Sequence, residues 1–295
     1  MFDLAFLWAG LIAFAVLVYV ILDGFDLGVG ILFPLARDTQ ERDMMMKSVE
    51  PVWDGNETWL IMGGGGLLAA FPLAYAVALP ALYVPLVLML LALVFRGVAF
   101  EYRWRTEKWR RVWDTAFIGG SATAAVCQGI SLGALVQGIA VEGRAYAGGW
   151  WDWLTPFSLL TGLALAVGYA LLGATWLVMK IEGDLQTRMR RYAYGLTFAT
   201  LVLIALVSLL VPFQQQTYFD RWFTAPGVFF TPVIPLMLLG ASIVLLRALQ
   251  NDRDHAPFLA SLALFVLSFI GFGTSIYPYV VPPSLTINAA AAPER

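Results

Sequence analysis

Histidine and cysteine are almost missing from this 295-residue chain, which has one of each, His255 and Cys127. A single cysteine excludes an internal disulfide framework and any CxxC metal site, and its place in an apolar run marks it as a packed thiol. A single histidine excludes a bis-histidine haem, a histidine-rich copper centre and a histidine-based di-iron site built within the chain. One axial position is the most that His255 could supply, and its short polar setting reads better as a solvated connection. Charge is scarce as well: 13% of residues are charged, against roughly 25% in ordinary soluble domains. The net charge of −2 carries no message by itself; the placement of the charges does.

Apolar residues fill the space that charge vacates. They make up 60% of the chain, and mean hydropathy is +0.77. Apolar runs long enough to cross a bilayer recur throughout, with no polar block sized for a soluble domain. The chain is therefore predicted to be an all-α, multi-spanning membrane protein forming a single membrane-embedded domain over 1–295. Eight spans are expected, at about 4–22, 58–79, 81–100, 113–141, 156–179, 192–211, 228–246 and 258–281. Pro80 fits a tight turn between the second and third. Met44 to Val49 reads as a short amphipathic stretch along the interface. Met1-Phe2-Asp3-Leu4 lacks the basic region of a cleaved signal, so the first run is read as a retained span.

Basic residues divide cleanly among the connections. Every Lys and Arg except Arg144, Arg221 and the terminal Arg295 lies in or beside an odd-numbered connection. Cytoplasmic loops collect positive charge, so the N-terminus is expected outside the cytoplasm. Trp104, Trp109 and Trp113, with Trp150, Trp151 and Trp153, read as interfacial anchors. Gly63 to Gly66, and Gly129 with Gly133, suit close helix approach; no Lys-Ser or Lys-Thr follows them, so phosphate binding is unsupported. Nothing points to nucleic acid as a partner.

Against this background the acids stand out, because charge beside hydrocarbon is costly and usually has a use. Asp23 and Asp26 close the first run three residues apart, on one helical face. Glu50-Pro-Val-Trp-Asp54-Gly-Asn-Glu-Thr-Trp59 opens the second, and Glu101 ends the third. Asp23, Asp26, Asp54 and Glu101 fall at similar depth and could line a hydrated path that passes protons. Arg96 is the nearest counter-charge, while Asn56, Thr58 and Trp59 offer neutral hydrogen-bonding positions. The plainer alternative makes these acids water-exposed helix ends, with Asp23 or Asp54 capping a following helix. Glu50 and Glu57 are assigned to that plainer class. On residues alone three roles stay open: proton movement within a larger redox complex, an ion-coupled membrane transporter with spans interrupted at Pro72, Pro80 and Pro85, and a scaffold.

The motifs narrow the choice. Asp23-Gly-Phe-Asp-Leu-Gly-Val-Gly30, Trp53-Asp-Gly-Asn-Glu-Thr-Trp-Leu60, Phe95-Arg96 with Phe100-Glu-Tyr-Arg103, and Tyr277-Pro278 with Pro282-Pro-Ser284 together resemble subunit II of the cytochrome bd-type quinol oxidases. The likeness covers nearly all of the chain, and its first two motifs are the most specific.

The resemblance implies the haem-free subunit of a bacterial oxidase that takes electrons from quinol and reduces dioxygen to water. It implies two helix bundles packed against a related, larger subunit I that holds two b-type haems and one d-type haem, with no haem or metal ligated by this chain. Some members add a very small single-helix subunit or a structural quinone. Family acids that line a proton path fall on Asp23, Asp26, Asp54 and Glu101, with supporting positions at Trp53, Asn56, Trp59 and Arg96. Glu101 stands where Asp is common, and Glu57 where members can carry Gln, so no role passes to Glu57. The implied location is the bacterial plasma (inner) membrane, among lipids and quinol. The family has nine spans, so a ninth is expected beyond the sequence given.

Overall fold

A computed structural model describes residues 4–292 of the chain. Met1 to Asp3, on which the retained-span reading partly rests, and Pro293 to Arg295 lie outside the described residues. The fold is all-α and membrane-embedded, with two small hairpins at one end. Seven segments among the described residues are long and apolar enough to cross a bilayer.

The helices are α1 (Leu4–Leu32), α2 (Thr39–Val49), α3 (Trp53–Ala70), α4 (Pro72–Ala81), α5 (Tyr83–Tyr102), α6 (Arg110–Gln137), α7 (Pro156–Lys180), α8 (Asp184–Leu210), α9 (Gln216–Phe223), α10 (Gly227–Phe230), α11 (Val233–Gln250), α12 (Ala256–Ile276) and α13 (Ile287–Ala290). Hairpin β1–β2 pairs Val141–Glu142 with Ala145–Tyr146, and β3–β4 pairs Tyr279–Val281 with Leu285–Thr286. Two four-helix groups follow from the packing, α1/α3/α5/α6 and α7/α8/α11/α12, and they meet where α7 lies against α1 and α6.

The second expected span falls on α3 and α4, which are not among those seven segments. Helix α3, with 18 residues, rises about 27 Å, close to the roughly 30 Å of a hydrocarbon core. It runs antiparallel to α1: Gly66 lies against Ile12, Gly63 against Val16, and Asn56 bonds Asp26. Its acids and glycines lower its hydropathy, which is why length and composition alone pass it over.

Several expected boundaries move. The first span does not stop at 22, because partners from α3 and α5 receive Asp23 and Asp26 and let α1 continue to Leu32. The expected 58–79 span starts at Trp53 and breaks at Phe71, since Pro72 disfavours helical geometry in the residue before it. Pro80 sits inside α4; the turn falls at Leu82, so the third helix is 83–102 instead of 81–100. Gly138, at φ 98°, ends the fourth helix at 137, before the expected 141. The fifth differs by one residue.

The sixth begins at Asp184 and not 192, and the seventh runs to Gln250 and not 246. Polar turns extend a helix beyond the apolar layer without interrupting it. Pro232 delays the start of the seventh, α11, to Val233. The eighth ends at Ile276, where the backbone turns extended into β3 instead of continuing to 281.

Helix α7 is the axis of the bundle; every residue from Gly168 to Val178 is buried. Its closest neighbour is α1, at Gly28 and Gly173. A Cβ on Gly28 would fall on the Tyr169 carbonyl oxygen, and one on Gly173 would meet the Gly28 backbone. Larger residues would hold these two helices apart. Gly129 and Gly133 do the same between α6 and α7, against Thr161 and Ser158.

Helix α2 lies across one end of the bundle with Met45, Met46 and Val49 buried beneath it. The opposite end is closed by α4, α13 and the hairpins around Phe71, Val77, Trp153 and Val281. Trp153 is thus a core residue, whereas Trp109, Trp150 and Trp151 stay more than half exposed, as interfacial anchors would be.

Candidate functional site

The glycines of Asp23-Gly-Phe-Asp-Leu-Gly turn one side of α1 to α7, which leaves the two acids facing α3 and α5. Asp23 and Asp26 are 1% and 0% exposed, and Arg96 from α5 is 0%. Arg96 Nη1 lies 3.6 Å from Asp23 Oδ1, and Nη2 lies 3.9 Å from Asp26 Oδ2. Asn56 Nδ2 donates to Asp26 Oδ2 at 2.7 Å and to the Leu22 carbonyl at 3.3 Å. Helix α1 is therefore crosslinked from two sides at the point where its charges enter the apolar layer.

Glu57 completes the group. Its Oε1 accepts from Arg96 Nη1 at 2.6 Å, the shortest contact the guanidinium makes. Three carboxylates thus surround one cation. Full ionisation would leave an excess of negative charge in a desolvated site, which is strongly disfavoured.

A hydrogen-bonded line lies beside it in the bundle. The Tyr169 hydroxyl donates to Gln128 Oε1 at 2.8 Å, and Gln128 Nε2 donates to the Tyr19 oxygen at 2.7 Å. With its oxygen already accepting, Tyr19 has its O–H free to face Asp23 one turn along.

The supporting aromatics fit around this group. Trp53 stacks on Phe100 with centroids 4.9 Å apart and covers Gly97, while Trp59 meets Phe14 edge-on. Asp54 and Glu101 are not drawn into the cluster. Asp54 is exposed, one turn before Glu57 on α3, and Glu101 is 65% exposed and paired with Arg105 at 3.6 Å. Neither Asp23 nor Asp54 caps a helix; the N-cap of α3 is Val52, which makes no side-chain cap.

Glu57 is the residue that sequence reasoning missed, and the misplaced start of α3 is the reason. A helix beginning at 58 leaves Asn56 and Glu57 in a connection. Begun at Trp53, it puts Trp53, Asn56, Glu57 and Leu60 on one face toward α1 and α5. A second cluster also went unread at the same end, where Arg103 bonds Asp114 and Asp43, each at 2.6 Å, and Arg42 reaches Asp114 at 3.1 Å.

No group of three or more His, Cys, Asp or Glu among the described residues is arranged to hold a metal ion. His255 is exposed at the start of α12, and Cys127 is buried and free.

Fold and site together define a polytopic α-helical membrane protein with an under-neutralised charge cluster inside one end. The family model of cytochrome bd terminal oxidase subunit II matches residues 4–295, and this chain belongs to that family. It is 33% identical over 319 residues to the cytochrome bd-I ubiquinol oxidase subunit 2 of Escherichia coli K12, covering 97% of this chain and 84% of that protein. Identity to the cytochrome bd ubiquinol oxidase subunit 2 of Bacillus subtilis 168 is 31%, over 95% and 82% of the two chains. The solved bd oxidase of Geobacillus thermodenitrificans contains a chain of the same fold, with a TM-score of 0.81 at 17% identity, covering 99% of this chain and 90% of that one. The transporter alternative finds no support in these likenesses.

Proposed function

We propose that this chain is the haem-free second subunit of a bacterial quinol:dioxygen oxidoreductase, and that its α2 end takes up protons from the cytoplasm for the formation of water. Asp54 and Glu101 form the outer reach of that path. Asp23 and Asp26 form its buried reach, with Arg96, Asn56, Trp53 and Trp59 positioning them. The α2 end also gathers the basic residues, which favours a cytoplasmic setting and an N-terminus on the other side of the plasma membrane.

The whole chain acts as one membrane-embedded unit. Its exposed apolar flank, including Leu7, Phe14, Ile61, Leu90 and Val94, offers surface to the larger subunit that carries two b-type haems and one d-type haem. A single-helix subunit and a structural quinone complete the assembly. The haems supply electron transfer and oxygen reduction; this chain contributes packing and the placement of protons.

The observation that carries the proton role is the Arg96 cluster, since one buried cation among two buried acids and a third, part-buried one is poor architecture for stability alone. The test is to purify the intact assembly and the isolated chain side by side. Quinol-dependent oxygen uptake and haem absorbance are expected from the assembly only. Haem bound by this chain alone, or an assembly that consumes no oxygen with quinol, would refute the assignment.

A further inference from the structure

Hydrogen bonding in the Arg96 cluster is incomplete. Both Asp23 oxygens, Asp26 Oδ1, and Arg96 Nε and Nη2 are buried without a partner at hydrogen-bond distance among the described residues. Five unsatisfied atoms on three neighbouring side chains leave hydrogen-bond partners to be exchanged. One nitrogen also serves two acids, because Arg96 Nη1 is 2.6 Å from Glu57 Oε1 and 3.6 Å from Asp23 Oδ1. Glu57 alone among the three acids reaches solvent: its side chain is 23% exposed, against 1% and 0% for Asp23 and Asp26.

We propose that Glu57 loads protons into the cluster, and that its protonation moves Arg96 Nη1 from Glu57 to Asp23. This rests on the proton-path reading above and adds a residue and an order of events to it. A proton from water at the α2 end binds a Glu57 oxygen and removes the charge that holds Nη1. The guanidinium closes on Asp23, which gives up a proton toward the partner subunit. Glu57 then passes its own proton to Asp23 and retakes Arg96. Each cycle moves one proton inward and leaves every residue as it began.

The groups that face Glu57 are Arg96 from α5, Asp23, Asp26 and Tyr19 from α1, and Asp54 from its own helix. Arg96 is the only cation among them, so the competition for it is between Glu57 and the two acids of α1. A purely structural Glu57–Arg96 pair would serve equally well with an uncharged acceptor at position 57.

Glu57→Gln separates the two cases, because the amide can still accept from Arg96 but cannot take up a proton. In the intact complex, quinol-dependent oxygen uptake should fall roughly tenfold, its pH profile should lose one inflection, and the KM for quinol should stay unchanged. Glu57→Asp should recover part of the rate and restore the inflection. A Glu57→Gln profile that superimposes on that of the unsubstituted complex overturns the loading role.

Asp23→Asn, measured alongside, tells the two readings apart. A slow Asp23→Asn beside an unaffected Glu57→Gln removes the loading role only, whereas an unaffected Asp23→Asn removes the proton path itself. Should Glu57→Gln fail to assemble, infrared difference spectra of the unsubstituted complex with isotope-labelled glutamate decide the matter. A labelled carboxylic C=O band that changes with pH and turnover supports loading, and its absence overturns it.

Discussion

Helix α5 ends with two arginines one heptad apart, both fully buried and both ringed by carboxylates, and they do opposite things. Arg103 makes two bonds of 2.6 Å, to Asp43 and Asp114, while Arg42 adds a second cation on Asp114. Two positive groups meet two negative ones, and the guanidinium is covered by Trp104, with its carbon 4.9 Å from the ring centre. Arg96 makes one bond of 2.6 Å and two looser contacts, to three acids. A neutral, closely bonded group ties α2 to the ends of α5 and α6. The under-neutralised group is bonded loosely, with one close contact and two longer ones. The difference lies in partner count and distance, since burial is the same.

The largest expected effect comes from dismantling the tie. Arg103→Ala leaves Asp43 and Asp114 without their central cation, and breaking a buried pair from one side costs about 3–5 kcal/mol. The purified complex should show a clearly lower Tm and poor assembly, with residual oxygen uptake falling only in proportion to assembled haem. A drop in turnover beyond that loss would make Arg103 functional and blur the contrast.

Asp26→Asn should do the reverse. The amide keeps the volume and a hydrogen-bonding position beside Asn56, so Tm should hold, while turnover falls roughly 100-fold because the group can no longer carry a proton. A Tm loss as large as that of Arg103→Ala, with turnover per haem intact, would make the two clusters alike. Smaller effects are expected farther out. Asp54→Asn and Glu101→Gln should slow turnover a few-fold, more at high pH, with little change in quinol affinity. Solvent already reaches both positions, so water can partly replace them. Rates unchanged across the pH range would confine the path to the buried acids.

The all-α membrane class, the seven long apolar helices and the acids of α1 were legible in the sequence because each leaves a one-dimensional trace: an apolar run, or a charge inside one. Cross-chain partners leave none. Arg96 and Asn56 can be named from the sequence as counter-charge and hydrogen-bonding position, but that they let α1 run on past Asp23 and Asp26 is set by packing. The same blindness hid Asp114, whose partners are Arg42 and Arg103, and moved the start of α3 past Glu57. Helix α8 shows a softer version. Its stripe of Leu185, Met189, Ala193 and Thr197 is buried and periodic, yet four arginine and acid neighbours masked it in a hydropathy reading.

The smallest expected effect concerns how α2 is held, and it extends the contrast to a third kind of ion pair. Glu41 loses some hydration on docking, which favours its neutral form. Hydrogen bonds from Arg188 and from the Arg37 amide outweigh this and hold its carboxyl below the ordinary value of 4.5. A depressed value in the docked state means that docking gains from Glu41 above pH 4.5 and loses that gain as pH falls through the lowered value. The contribution is at most about 1 kcal/mol, because the pair lies near the surface. Amide exchange in α2 should therefore quicken on acidification through that range, and Glu41→Gln should remove the pH dependence while raising exchange slightly at neutral pH. Oxygen uptake per haem should not change, since Glu41 has no link to Arg96. A change in turnover would show that α2 docking controls entry to the cluster, and the proposed division between a holding Arg103 and a proton-handling Arg96 would have to be abandoned.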